Sequence, residues 1–147
     1  MSFRSALTNP SSTSGGVGQT FTGANPSTTP ILVSNATYIL DSVTLTAGVY
    51  SFVIGIEVEL VNGTTLASFG VSITSNSVIL YNTQLLQEQS ITGGGPDYFL
   101  PLQNTTTLVL SQETTLNLNV TAVFSSGSVK VGIPNNILKY IQAVKMA

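Results

Sequence analysis

The chain has 147 residues and a net charge of −2, and only 7% of its residues are charged, against roughly 25% in an average soluble domain. It contains no cysteine, histidine or tryptophan, which excludes a Ser-His-Asp triad, a Cys-His pair and the common type of zinc site. Its four basic residues form no run, which argues against nucleic acid as a partner. Ser and Thr make up about a quarter of the chain, a composition typical of an all-β protein with hydroxyl-rich faces.

Residues 1–30 differ in composition from the rest of the chain. They are rich in Ser, Thr, Gly, Asn and Pro, and their few apolar residues cannot form a core. The segment is either a flexible tail or an extended arm that becomes ordered on a neighbouring subunit. In the second interpretation Phe3, Leu7 and Phe21 anchor the arm. We therefore divide the chain into an extended N-terminal arm, residues 1–30, and a β-sandwich domain, residues 31–147.

Alternation of apolar and polar residues predicts β-strands from residue 31 onward. In GVYSFVIGIEVEL, residues 48–60, every even position is apolar and the odd positions are mostly small or charged. The Asn62-Gly63 dipeptide then predicts a hairpin into a strand in which Phe69, Val71 and Ile73 share one face. A sheet with one apolar face buries it against a second sheet about 10 Å away, so we expect a sandwich.

The strand pattern continues towards the C terminus. Residues 87–97, QEQSITGGGPD, predict a glycine-rich surface loop, and residues 114–124, TTLNLNVTAVF, alternate like the earlier strand. The final segment, residues 136–147, fits an amphipathic helix or a buried strand, and the surrounding pattern favours the strand. Eight to ten predicted short strands without a convincing helix indicate an all-β sandwich or barrel.

Three segments resemble known trimeric jelly rolls. LTAGVYSFVIGIEVEL, residues 45–60, resembles a strand of the tumour-necrosis-factor and complement-globular type, and residues 100–124 resemble the paired later strands of that type. The terminal YIQAVKMA resembles the last strand of virion fibre heads and related phage and giant-virus surface proteins. The resemblance implies an antiparallel two-sheet jelly-roll sandwich that forms a homotrimer through apolar and aromatic side chains around a threefold axis.

The resemblance also implies a function. Such trimers serve as minor capsid or decoration proteins, so we expect a virion structural protein at the capsid surface, with major capsid or other virion proteins as partners. The low charge agrees with assembly, because centres of protein interfaces are depleted in Lys and Glu. No apolar run approaches the roughly 18 residues that cross a bilayer, so we expect no membrane partner.

An alternative function is the receptor- or glycan-binding head of a viral fibre or spike. In that case the 87–97 loop would bind a host surface receptor or glycan, with Tyr98 and Phe99 as the aromatic contacts. The same two side chains could instead pack in the core or along a trimer axis.

Paired carboxylates are the remaining route to acid–base chemistry. Glu57 and Glu59 lie two residues apart, so they share one face of a strand at about 7 Å, a spacing that suits a glycosidase pair or, with Asp41, a calcium site. The alternative is a solvated or interface-facing sheet surface, which we favour. We therefore expect no enzyme activity, no metal site and no cofactor.

Overall fold

The structure, a computed structural model, describes residues 16–23, 31–90, 97–132 and 140–147. Within these ranges the backbone forms ten β-strands and no helix. The described residues accordingly contain no helix that could cross a membrane. The strands are β1 (Thr20–Thr22), β2 (Thr37–Leu45), β3 (Gly48–Leu60), β4 (Thr65–Ser75), β5 (Val78–Leu86), β6 (Gln89–Ser90), β7 (Tyr98–Leu110), β8 (Thr114–Ser126), β9 (Val129–Gly132) and β10 (Ile141–Lys145).

The strands form two antiparallel sheets of five strands each. Sheet A has the order β1-β10-β3-β7, and β9 pairs with residues 57–60 of β3 beside the stretch that pairs with β10. Sheet B has the order β2-β8-β4-β5, with the short β6 also on β4. This arrangement confirms the predicted all-β, two-sheet jelly-roll sandwich.

The core lies between the two sheets and is built from their alternating apolar positions. The even side chains of β3, from Tyr50 to Leu60, are completely buried. Sheet B contributes Phe69 and Ile73 from β4 and the even positions of β8 from Leu116 to Ala122. Burial of each large apolar side chain contributes about 1.5–3 kcal/mol, so the period-two pattern itself selects this packing.

The predicted hairpin at Asn62-Gly63 is wrong, because β3 belongs to sheet A and β4 to sheet B. Gly63 has a φ of 87°, so the chain does turn sharply here, but it passes from one sheet to the other. The next residue, Thr64, is fully buried, and its hydroxyl donates to the carbonyl oxygen of Ser128 and accepts from the Ser128 amide, each at 2.9 Å. These bonds hold the connection against the turn between β8 and β9.

A two-residue hairpin occurs instead at Asn76-Ser77, between β4 and β5. The two residues have φ values of 48° and 67°, as the tight hairpin turn between right-twisted strands requires, and Ser75 pairs directly with Val78. Asparagine tolerates this left-handed conformation better than most residues, but a following serine is a weak signal compared with Asn-Gly.

The C-terminal segment is a strand where the structure describes it. Residues Ile141–Lys145 form β10 and pair antiparallel with residues 50–54 of β3, which confirms the strand and excludes the helix for this span. Residues 136–139, the first part of the ambiguous segment, lie outside the described residues.

Candidate assembly surface

One lateral side of the sandwich is formed by two neighbouring edge strands. β7 is the last strand of sheet A and β5 the last strand of sheet B. The two strands meet across the edge, where Asn104 Nδ2 donates a hydrogen bond to the Tyr81 hydroxyl at 2.6 Å. We call this surface, made of Val78–Leu86 and Tyr98–Leu110, the open side.

The open side carries no charge, and its exposed residues include large apolar side chains as well as uncharged polar ones such as Asn82, Gln103 and Thr105. Eleven large hydrophobic side chains are exposed in the described part of the chain, and six of them lie here. They are Val78, Ile79, Leu80, Tyr98, Phe99 and Val109. Neither strand contains Lys, Arg, Asp or Glu, the residues that usually protect a sheet edge from pairing. Exposed apolar clusters of this kind are typical of interaction surfaces.

A β-bulge helps to expose the apolar end of β5. Ile73 pairs with Tyr81 and the next residue pairs with Ile79, so Leu80 is an extra residue without a partner opposite. A bulge redirects side chains and interrupts regular pairing at an edge. It gives the first three residues of β5 exposed side chains in succession instead of an alternating pattern.

The two aromatic residues predicted beside the glycine-rich loop lie at the start of β7. Tyr98 is 49% and Phe99 54% exposed, and they pair with Leu60 and Glu59 of β3. Neither belongs to the core of the single chain. Residues 91–96, most of the loop itself, lie outside the described residues.

The opposite lateral side is covered by the chain's own N-terminal segment. β1 pairs with β10, and the ring of Phe21 meets Tyr50 edge to face, with ring centroids 5.9 Å apart. Two further arm anchors predicted from the sequence, Phe3 and Leu7, lie outside the described residues. Phe21 therefore contacts its own chain, and its contact with a neighbouring subunit stays a prediction.

Buried polar groups reinforce this covered side. Asp41 of β2 is 3% exposed, and its Oδ1 accepts a hydrogen bond from the Ser42 amide at 2.9 Å. The backbone of Gly23 comes so close to this carboxylate that a Cβ atom at position 23 would overlap it. Burial, and secondarily the negative charge of Asp41, raises the pKa of Tyr140.

The three candidate carboxylates do not converge on one site. Glu57 and Glu59 share the outer face of sheet A, as their spacing predicted, while Asp41 is buried in sheet B. Glu59 forms a long ion pair with Lys130, with Oε1 and Nζ 3.9 Å apart. No three acidic, His or Cys side chains of the described residues form a metal-binding group. The calcium interpretation, which needs all three carboxylates, is therefore wrong.

A cleft of about 620 Å³ opens in sheet B at the end where β4 begins and β8 ends. Its lining consists of Ser34, Asn35, Thr65, Leu66, Ala67, Glu88, Val123, Phe124 and Ser125. Two register shifts create it, because Ala67 and Ser125 are extra residues in the pairing between β4 and β8. Sequence reasoning missed this cleft, since neither bulge carries a glycine or another local signal.

Comparison with known proteins supports the fold. No family profile and no curated protein matches the chain. Among solved structures, Eiger TNF from S. frugiperda has a TM-score of 0.51 and 18% identity, over 87% of this chain and 90% of that one. At this identity the likeness shows the fold alone, and it agrees with the tumour-necrosis-factor-type jelly roll predicted from the strand motifs.

Viral chains also match, at lower structural similarity. A chain of infectious bursal disease virus strain Gt has a TM-score of 0.47 and 15% identity, over 87% of this chain. The VP2 subviral particle of the same virus has the same score and identity. This chain spans only 38% and 37% of the length of those two chains.

Proposed function

We propose that this protein is a virion structural protein: a trimeric jelly-roll minor capsid or decoration protein that holds neighbouring capsid subunits together at the capsid surface. The open side carries the proposal, because two adjacent edge strands there present apolar side chains and no charge. The choice of a virion rests on the strand motifs and the C-terminal segment, which resemble viral surface jelly rolls.

The partner that fits the open side best is a second copy of this chain. Its docking would remove apolar surface from water, and no charged group of β5 or β7 would lose hydration. A contact between two different surfaces of identical chains forms a ring when the rotation closes, and a trimer is such a ring.

The outer face of sheet B suits contact with other virion proteins. Threonine hydroxyls pair across it, Thr37 with Thr121 at 2.9 Å and Thr44 with Thr115 at 2.8 Å. Hydroxyl groups both donate and accept hydrogen bonds and lose less free energy on partial burial than charged groups. We therefore assign trimer formation to the open side and attachment to the shell to sheet B.

Two isoleucines with nearly equal exposure provide a matched test of the open side. Ile79 on β5 is 60% exposed and Ile39 on β2 is 63% exposed. Light scattering should give the wild type and Ile39→Lys about three times the 15.3 kDa chain mass. Ile79→Lys should give the mass of one chain, because docking would bury an unpaired ammonium group. A monomeric wild type, or a trimeric Ile79→Lys, would contradict the proposed trimer.

Attachment to a virus particle needs a separate experiment. We expect mass spectrometry of purified particles to detect the protein, and cryo-electron microscopy to place its density at threefold positions between major capsid subunits. Purified trimers should also co-sediment with particles from which the protein has been removed. Its absence from the particles would rule out a virion role, whatever its oligomeric state.

The exposure of Tyr98 and Phe99 favours one second candidate, a receptor- or glycan-binding head. Aromatic side chains are common anchors of binding interfaces, and these two stand beside the predicted loop. If the protein is such a head, Tyr98→Ala with Phe99→Ala should reduce binding to host cells at least tenfold, and the pair would then lie outside the part of the open side that forms the trimer. Unchanged cell binding would exclude this role for the pair.

A further inference from the structure

We propose that the cleft at the bulged end of β4 and β8 receives the N-terminal arm of a second copy, with Phe3 on its apolar floor and Arg4 paired to Glu88. The inference rests on the proposed assembly and names the receiving site of the arm. Sequence composition alone indicated an arm but gave no place for it to dock.

The cleft has a defined apolar floor. Leu66, which is buried, and Phe124, which is partly buried against the core, both line it. The backbone amide of Phe124 donates to the Ser34 hydroxyl at 2.9 Å, which fixes the floor against the turn before β2. A cleft of about 620 Å³ with a mixed apolar and polar lining has room for an aromatic side chain and its polar neighbours.

Charge complementarity supports the N-terminal arm as the segment that binds in the cleft. Glu88 is exposed at the cleft, and it has no ion-pair partner within the described ranges. Arg4 follows Phe3 directly and is the only basic residue among the first 129. A short segment carrying an aromatic ring beside a guanidinium group matches an apolar floor beside a carboxylate.

The reach of the chain favours the cleft of a neighbouring copy. The described N-terminal segment starts at Gly16, and the amide of Gly18 donates to the carbonyl oxygen of Lys145, near the beginning of β3. The cleft lies at the other end of the sandwich, about 33 Å away along β3 from Tyr50 to Leu60, and in the other sheet. The twelve residues from Arg4 to Gly16 span at most about 40 Å, so an arm that also has to pass from sheet A to sheet B would reach its own cleft only when nearly fully extended.

The absence of cysteine allows a direct cross-linking test in the full-length chain. Ser5→Cys in one population and Ser125→Cys in another should form a mixed disulfide dimer after the two are combined and oxidised. The matched control is Ser111→Cys, another exposed serine, just before the opposite end of β8. We expect at least tenfold more dimer with Ser125→Cys than with Ser111→Cys, and equal yields would overturn the proposal.

A charge exchange tests the ion pair independently. Glu88→Lys should reduce the cross-linking between positions 5 and 125 at least fivefold, and adding Arg4→Glu should restore it. Glu113→Lys, at another exposed glutamate, should leave the yield unchanged. If Glu88→Lys has no effect, or if Arg4→Glu does not rescue it, the pairing of Arg4 with Glu88 is wrong.

Two further outcomes separate this proposal from the proposed function. A trimeric protein that gives no mixed dimer keeps the proposed function and loses the arm site. A chain carrying both Ser5→Cys and Ser125→Cys that cross-links only within itself places the arm on its own subunit, which also overturns the inference. A monomeric wild type contradicts the proposed trimer itself.

Discussion

The two lateral sides of the sandwich differ in how their edge strands are covered. Both end in edge strands with unpaired backbone groups, which attract other strands. On one side β1 extends sheet A, and Phe21 and Gly23 pack on the residues beneath. On the open side β5 and β7 have no covering strand and no charged residue, and they expose both large apolar and uncharged polar side chains. The comparison indicates that the chain covers one side by itself and leaves the other uncovered.

The largest expected effect on the stability of the single chain comes from Phe21→Ala. The substitution removes a half-buried ring and its edge-to-face contact with Tyr50. We expect the free energy of unfolding to fall by about 2–3 kcal/mol, measured by urea denaturation at fixed protein concentration. Val17→Ala, at a side chain that is 72% exposed, is the control and should change little.

Phe21→Ala also tests whether the covered side and the open side have different roles. Phe21→Ala should leave the oligomer mass unchanged, whereas Val109→Ala on the open side should weaken the oligomer without destabilising the chain. A loss of oligomer mass in Phe21→Ala would instead assign that ring to a neighbouring subunit, as the arm interpretation of the sequence expected.

A smaller effect is expected for Gly23→Ala. The added Cβ would overlap the carboxylate of Asp41, so either the buried side chain or the end of β1 has to move. We expect a loss of about 1–2 kcal/mol in the free energy of unfolding. Gly16→Ala is the matched control, because a Cβ there meets no atom within 4 Å. Equal stability of the two variants would show that the covered side is loosely packed.

The smallest effect concerns pH and Tyr140. Burial and the nearby Asp41 raise the pKa of its hydroxyl in the folded state, so the unfolded chain loses this proton first as the pH rises. The resulting stability is complete below the ordinary tyrosine pKa of about 10 and is lost above it. Tyr140→Phe should therefore reduce the loss of stability between pH 9 and 11.

Much of the interior was predictable from the sequence because burial imposes a period of two on a strand. The even positions of β3 and β8 alternate without interruption, and the structure buries both sets against each other. Strand type was predictable even for Ile141–Lys145, where local propensity allowed a helix, because the surrounding strand pattern favoured a strand. The structure confirms it through the pairing with β3.

Connections and irregularities were less predictable. The strongest turn signal, Asn62-Gly63, reverses the chain but leads into the other sheet, while the hairpin forms at Asn76-Ser77. The bulges at Ala67, Leu80 and Ser125 have no signal in the sequence, yet they shape the cleft and the open side. A turn dipeptide reports local backbone conformation, and the partner of the next strand depends on contacts far away in the chain.

By itself, the sequence determined that this protein is a sandwich of alternating strands with little charge and no His- or Cys-based chemistry. Those properties follow from residue types and their spacing, which act over a few neighbouring positions. Only the tertiary structure decided which strands stand at the edges, that Asp41 lies apart from Glu57 and Glu59, and that six exposed apolar side chains share one side. These outcomes depend on pairing between residues distant in the chain, which local periodicity does not specify.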